Sequence, residues 1–255
     1  MIYYHNINPV LISIFGFDIY YYSLAYLFGA IFIPYFINKK YLNDKKLMDS
    51  YSMYILLGTV LGGRLGYILL YDFSYYLASP WKIFNLREGG MAFHGGMIGY
   101  MLGNYLFSRK YGKNWLKILD ISMYIVPICL FFGRILNFIN GELYGRLTDG
   151  TWGVIFPGDY HLRHPSQLYE AFFEGFIGFF LLSWVYKKYS AKVGFTSGFF
   201  LIIYGIARFF VEFFREPDVQ VGYIAHYFTL GQILCVVMVI FGIFVARKCY
   251  ISEKI

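Results

Sequence analysis

The chain contains apolar runs that are too long and too free of charge for the interior of a soluble domain. Ile19 to Ile37, Met91 to Phe107 and Tyr227 to Ala246 hold no Asp, Glu, Lys or Arg. Each is about the length a helix needs to cross a hydrocarbon core of roughly 30 Å. Four further runs are interrupted by charge: Met53 to Tyr71 by Arg64, Ile118 to Leu136 by Asp120 and Arg134, Ala171 to Tyr186 by Glu174, and Phe199 to Phe214 by Arg208 and Glu212. With 58% of 255 residues apolar and 15% charged, and the apolar residues in blocks rather than in alternating or amphipathic patterns, the expected fold is all-α. It is a polytopic membrane helix bundle of seven transmembrane helices.

Basic residues orient the bundle, because short cytoplasmic loops carry the excess of Lys and Arg. Lys39, Lys40, Lys45 and Lys46, then Arg109, Lys110, Lys113 and Lys117, then Lys187, Lys188 and Lys192, and finally Arg247, Lys248 and Lys254 make 14 of the 22 basic residues and fall in alternate loops. The N-terminus is thus expected outside and the C-terminus in the cytoplasm. On this reading the net charge of +7 is a topology signal and not a nucleic-acid footprint. No Lys or Arg precedes Lys39, so the start lacks the basic region of a cleavable signal peptide and the first span is expected to be kept. Cys129, Cys235 and Cys249 make neither a disulfide framework nor a zinc site, and no metal is implied.

Residues 1–255 read as one integral membrane domain, without repeats or linkers. Two outer loops are long: Asp72 to Gly90, ending in Glu88-Gly89-Gly90, and a segment at about 137–163 whose glycines, aspartates and proline suit a small irregular head. Pro165 and Ser166 then open the fifth span. Glycines recur at four-residue spacing, Gly58, Gly62 and Gly66 in the second span and Gly95, Gly99 and Gly103 in the third. Such faces let helices approach closely; plain packing explains them, and close packing also holds Arg64 and His94 firmly.

The orientation puts Arg64, Arg134 and Arg208 in the outer half of the membrane and His94 at the outer start of the third span. An arginine at membrane depth costs roughly 2.5 to 3.5 kcal/mol on insertion scales, so each needs a reason. Gly133-Arg134-Ile135-Leu136-Asn137-Phe138-Ile139-Asn140-Gly141-Glu142-Leu143-Tyr144-Gly145 gathers polar residues at a span's end. Arg134 and Asn137, three apart, share a helix face, and Asn140 and Glu142 follow where the helix should end; capping is an alternative role for the asparagines. Tyr204, Arg208 and Glu212 also share one face. Arg208 and Glu212 can pair, either as a packing device or as part of a site. A guanidinium offers a planar fork matched to phosphate oxygens, and two such forks facing the outer leaflet suit a phospholipid headgroup. His94, flanked by glycines, is either a hydrogen-bonded structural residue or a base that a substrate can reach. His5, His161, His164 and His226 lack metal-ligand spacing, and neither a nucleophile elbow nor a P-loop is present.

Several blocks together resemble the bacterial prolipoprotein diacylglyceryl transferases: Gly133 to Gly145, Gly89 to Gly99 with its histidine, His164-Pro165-Ser166-Gln167-Leu168-Tyr169-Glu170, Tyr204 to Asp218, and the tyrosine-rich start Tyr20-Tyr21-Tyr22-Ser23-Leu24-Ala25-Tyr26. The resemblance implies an enzyme of the bacterial inner membrane that moves the diacylglyceryl group of phosphatidylglycerol onto the lipobox cysteine of a prolipoprotein signal peptide. The products are a thioether and glycerol-1-phosphate, and no cofactor is implied. It marks His94, Arg134, Asn137, Gly145 and Arg208 as site positions, and Tyr22, Glu142 and Glu212 beside them. In this scheme Arg134 and Arg208 hold the lipid phosphate, Asn137, Asn140 and Glu142 orient the headgroup, and His94 is the candidate base. Leu136 departs from the family pattern, which usually has a small residue there. The reading from another class is a membrane transporter or lipid-binding protein that uses the buried arginines as an anion site; it predicts charges spread across the bilayer and an internal repeat.

Overall fold

The computed structural model of the chain describes residues 2–14, 17–85, 89–216, 223–224 and 228–251, with the backbone alone for Ile14, Phe17, Tyr22, Tyr26 and Tyr223. Glu88, Asp218 and His226, and the side chain of Tyr22, lie outside the described residues. In chain order the elements are strands β1 (Ile2–Tyr4), β2 (Val10–Ile14) and β3 (Phe17–Tyr20), helices α1 (Tyr22–Ile37), α2 (Lys45–Leu70), α3 (Phe73–Ala78), α4 (Phe93–Tyr111) and α5 (Trp115–Asn140), and strand β4 (Gly153–Ile155). Helix α6 (Ser166–Glu170) continues through a π-helical segment, Ala171–Ile177, into α7 (Gly178–Tyr189). Helix α8 (Phe195–Val211), strands β5 (Tyr223–Ile224) and β6 (Phe228–Thr229), and helix α9 (Leu230–Ile251) complete the chain.

The molecule is mostly helical, and each of the seven apolar runs overlaps a helix. Among the described residues, four helical stretches are long and apolar enough to cross a membrane: Lys45–Leu70, Trp115–Asn140, Ser166–Tyr189 and Leu230–Ile251. The expectation of a purely α fold needs amending at the ends of two runs. Ile19 and Tyr20 belong to an antiparallel hairpin of β2 and β3, closed by Ser13 Oγ donating to the Asp18 carboxylate at 2.5 Å. Its aromatic and β-branched residues favour a strand over the first helical turn, so α1 starts only at Tyr22. At the other end β6 pairs with β5, and α9 starts at Leu230 because Thr229 and Gln232 form a reciprocal cap. Gln232 N–H donates to Thr229 Oγ1 at 3.2 Å and Thr229 N–H to Gln232 Oε1 at 3.1 Å. A third pair, β1 with β4, is parallel.

The chain forms two compact units, one of residues 30–119 and the other of residues 1–29, 120–218 and 222–255. In the first unit α2 lies on α4 across the two glycine faces. A Cβ on Gly66 would sit 2.6 Å from Gly95 Cα, and one on Gly62 would sit 2.7 Å from Gly99 Cα, so only glycine permits this approach. Arg64 is 3% exposed and is spent on backbone. Its Nε donates to Ile83 O at 2.9 Å, Nη2 to Lys82 O at 2.7 Å and Asn85 O at 2.9 Å, and Nη1 to Gly90 O at 3.2 Å and to Gly89 O. Tyr76 covers it, 5.0 Å from ring centroid to guanidinium carbon. This arginine staples the segment after α3 to α2.

In the second unit α8 packs on α9 where Gly198 meets Ala246 and Gly205 meets Val239 and Cys235. Asp120 on α5 interrupts an apolar run for a structural reason: it caps α8, accepting from Gly194 N at 2.6 Å and from Ser197 N at 2.8 Å. Residues 141–165 fold back on themselves through bridges between Leu147 and Arg163 and between Val154 and Arg163. There Asp159 accepts from the His161 backbone and ring and from Arg163 Nε at 2.7 Å, which holds its carboxyl well below the usual range, the His161 backbone bond contributing most.

Overpacking of a close contact costs about 1 to 3 kcal/mol. Gly62→Val is therefore expected to lower the thermal stability of the detergent-solubilised protein. Arg64→Lys, which keeps the charge but loses the fork, should expose residues 80–90 to limited proteolysis. Unchanged melting and cleavage patterns would contradict both assignments.

Candidate active site

Three helical elements of the second unit turn charge inward at one level. α5 supplies Arg134, the α6 to π stretch supplies Glu170 and Glu174, and α8 with the turn after it supplies Tyr204, Arg208, Glu212 and Arg215. Glu170, Glu174 and Glu212 are 0%, 2% and 3% exposed. Glu170 is the hub. Its Oε2 lies 2.9 Å from Arg134 Nε, while its Oε1 meets Arg208 Nη1 and lies 3.3 Å from Arg215 Nη1. Arg208 also reaches Glu212 Oε2 at 3.0 Å through Nη2 and approaches Glu174 Oε1 at 3.6 Å. Glu212 takes a further hydrogen bond from Thr229 Oγ1 at 3.0 Å. The π segment starts directly after Glu170 and contains Glu174; π segments of this kind recur at functional sites.

A second layer continues from Arg134 to the end of α5. Arg134 Nη1 donates to Asn137 Oδ1 at 3.4 Å, and Glu142 Oε1 accepts from Asn137 Nδ2 at 2.8 Å and from Asn140 Nδ2 at 3.5 Å. Glu142 is placed by a tight turn in which Gly141 and Leu143 have φ of 68° and 57°. Gln167 Nε2 donates to Glu142 O at 2.6 Å and Ser166 Oγ to Leu143 O at 3.2 Å, so the start of α6 locks the turn. Gly145 follows where the chain bridges to Arg215; a Cβ there would lie 2.8 Å from His164 O. His164 itself contacts Tyr169 OH at 3.2 Å, and burial holds its imidazole below the ordinary value, with Asp149 partly opposing. On the same helices an apolar groove of about 750 Å³ runs along Tyr169, Phe173, Ile177 and Leu181 on one side and Ile203 and Phe210 on the other.

Arg134, Asn137, Asn140, Glu142, Arg208 and Glu212 thus come together in one network, with Gly145 beside Arg215 at its edge. His94 lies in the other unit, half-buried in the first turn of α4 and edge-on to Phe93, with 5.6 Å between ring centroids. Gly89 and Gly90, at φ of 76° and 83°, lead into that turn. Tyr22 starts α1, and its side chain is outside the described residues. Sequence reasoning passed over Glu170 and Arg215. A signal existed for the first, because Glu170 stands four residues before the span-interrupting Glu174 and so shares its face.

Helical stretches long and apolar enough to cross a membrane, together with a buried network of arginines and glutamates in the second unit, mark a helical membrane protein that carries a polar site. A family model described as prolipoprotein diacylglyceryl transferase matches residues 9–247. The chain is 46% identical over 251 residues to the phosphatidylglycerol–prolipoprotein diacylglyceryl transferase of Rickettsia bellii, covering 95% of each chain. It is 47% identical over 245 residues to the protein of the same name from Rickettsia felis, covering 93% of this chain and 95% of that one. The chain belongs to the prolipoprotein diacylglyceryl transferase family.

Breaking a buried ion pair from one side leaves charge uncompensated and costs about 3 to 5 kcal/mol. Glu170→Gln keeps the shape but removes the charge three arginines share. It should lower the unfolding temperature far more than Glu216→Gln, whose partner contact with Arg163 is at 2.9 Å and half-exposed. Equal melting of the two variants would remove Glu170 from its central place.

Proposed function

We propose that the chain transfers the diacylglyceryl group of phosphatidylglycerol to the thiol of a lipobox cysteine in a prolipoprotein signal peptide, forming a thioether and releasing glycerol-1-phosphate. The observation that carries this reading is the convergence of Arg134 and Arg208 on one buried carboxylate in a chain of this family. It supplies two guanidinium forks, held in place within apolar helices, for a phosphodiester. The apolar groove on the same helices is in keeping with a substrate that carries acyl chains. On this reading Asn137, Asn140 and Glu142 orient the glycerol headgroup, Gly145 and Glu212 shape and brace the site, and Tyr22 contributes from the start of α1. No cofactor takes part.

The chain acts as one integral domain of the bacterial inner membrane, with seven spans, the N-terminus outside, the C-terminus in the cytoplasm and the site facing the outer leaflet. The alternating distribution of Lys and Arg supports that orientation, and residues 137–163 then form a head on the outer side. Signal peptides enter laterally from the bilayer. The substrate thiol loses its proton, the sulfur attacks the glycerol carbon of the diacylglyceryl part, and the carbon–oxygen bond to phosphate breaks. Arg134 and Arg208 stabilise the leaving phosphate. His94 is the candidate base. Passing a proton from a thiol of pKa about 8.5 to an imidazole of about 6.5 is uphill by roughly two units, about 2.7 kcal/mol in water, so the site must favour the thiolate.

Purified protein incubated with labelled phosphatidylglycerol and a lipobox peptide should yield lipidated peptide and free glycerol phosphate; recovery of neither product sinks the reading. Arg134→Lys should nearly abolish transfer although the charge is kept, since a bidentate grip is lost. Normal turnover with normal lipid affinity would take Arg134 out of the site. His94→Gln should slow the chemical step about 10²- to 10⁴-fold while sparing lipid binding, and raising the pH should partly restore the rate as more substrate thiol ionises. A variant with the parent's rate and pH profile makes His94 structural. Cys129, Cys235 and Cys249, all free thiols, should be dispensable because the nucleophile belongs to the substrate. A folded but inactive triple serine variant would point instead to a covalent enzyme intermediate.

A further inference from the structure

The charges of the inner network balance. Among the described residues, the ion pairs of this inner network join Arg134, Arg208 and Arg215 to Glu170, Glu174 and Glu212, three against three. A neutral buried cluster has little net attraction for an anion, and adding the single negative charge of a phosphodiester leaves one charge uncompensated. The cluster therefore needs to gain a proton or displace a carboxylate when such a headgroup enters.

The three carboxylates are not held alike. Glu170 meets three guanidiniums. Glu212 has Arg208 at 3.0 Å and a hydrogen bond from Thr229. Glu174, 2% exposed, accepts no hydrogen bond at either oxygen among the described residues. Its ion contact is 3.6 Å from Arg208 Nη1, the nitrogen already engaged by Glu170. The groups that act on it are Glu170 from its own helix, Arg134 from α5, Tyr204 and Arg208 from α8, Arg215 from the turn beyond, and Cys235 from α9. Two carboxylates that compete for one guanidinium nitrogen are a like-charge pair, and such a pair readily holds a proton.

We propose that Glu174 is the proton site of lipid binding: the phosphodiester enters together with one proton, which settles on the Glu174 carboxylate and leaves Arg208 net positive charge for the phosphate. This rests on the reading of the arginines as a phosphodiester site. Affinity for phosphatidylglycerol then falls as pH rises, by up to about tenfold per pH unit for one linked proton. Glu174→Gln, neutral at every pH, binds as tightly as the parent does at low pH and loses the dependence.

The test is calorimetric titration of the full-length protein in detergent with short-chain phosphatidylglycerol, repeated in buffers of different ionisation enthalpy. The expected result is uptake of close to one proton by the parent and of none by Glu174→Gln. Binding by the parent without proton uptake, or parent-like uptake by Glu174→Gln, overturns the proposal while leaving the lipid site standing. Failure of the parent to bind the lipid overturns that site and the proposal with it. Infrared difference spectra of the parent carrying isotope-labelled glutamate give the same answer without a variant: a protonated carboxyl band must grow when lipid binds, and its absence refutes the assignment.

Discussion

One buried carboxylate organises the second unit. Glu170 gathers Arg134 from α5, Arg208 from α8 and Arg215 from the turn after α8. Each guanidinium alone would be costly at membrane depth; drawn onto a shared, fully buried anion, they become tolerable and fixed in direction. The elements around them carry the supports this requires. Asp120 caps α8 from α5, Gly175 lets the π segment pass against Phe131, and the turn holding Glu142 is pinned by Gln167 and Ser166 from the start of α6. Helix packing and site geometry are therefore one construction.

The same arrangement shows why arginine is needed. Glu170 holds Arg134 through Nε, and Glu170 and Glu212 hold Arg208 through Nη1 and Nη2, so each planar group is fixed in orientation. Lysine, a point charge on a flexible stem, keeps the charge but loses the orientation. Arg64 presents a contrast within the chain. Its fork is fully committed to five backbone carbonyls between Lys82 and Gly90, so an arginine within a span, read from sequence as a sign of function, here closes a loop.

Much of this was legible in the sequence because it is local. Apolar run length located long helices, glycine spacing foretold the contact of α2 with α4, and helical periodicity placed Tyr204, Arg208 and Glu212 on one face. The strand character of Ile19 and Tyr20 was hidden by an apolar composition that suits helix and strand alike. The partners of Arg64 and the role of Glu170 were out of reach for a different reason. They depend on contacts between residues 18 to 26 apart in one case and on three separate elements in the other, and periodicity carries no information about either. His94 was singled out by its glycine neighbours and family resemblance, and its chemistry is a matter for the pH profile.

On the proposed reading the guanidiniums converging on Glu170 grip a lipid phosphate. Phosphorus-to-nitrogen distances from solid-state NMR, on protein with ¹⁵N-labelled arginine in phosphatidylglycerol bilayers, test it most directly. A lipid phosphorus within direct contact of Arg134 and Arg208 is expected, with both couplings lost in Arg134→Lys. Lipid phosphorus in contact with neither arginine in the folded parent protein would contradict it.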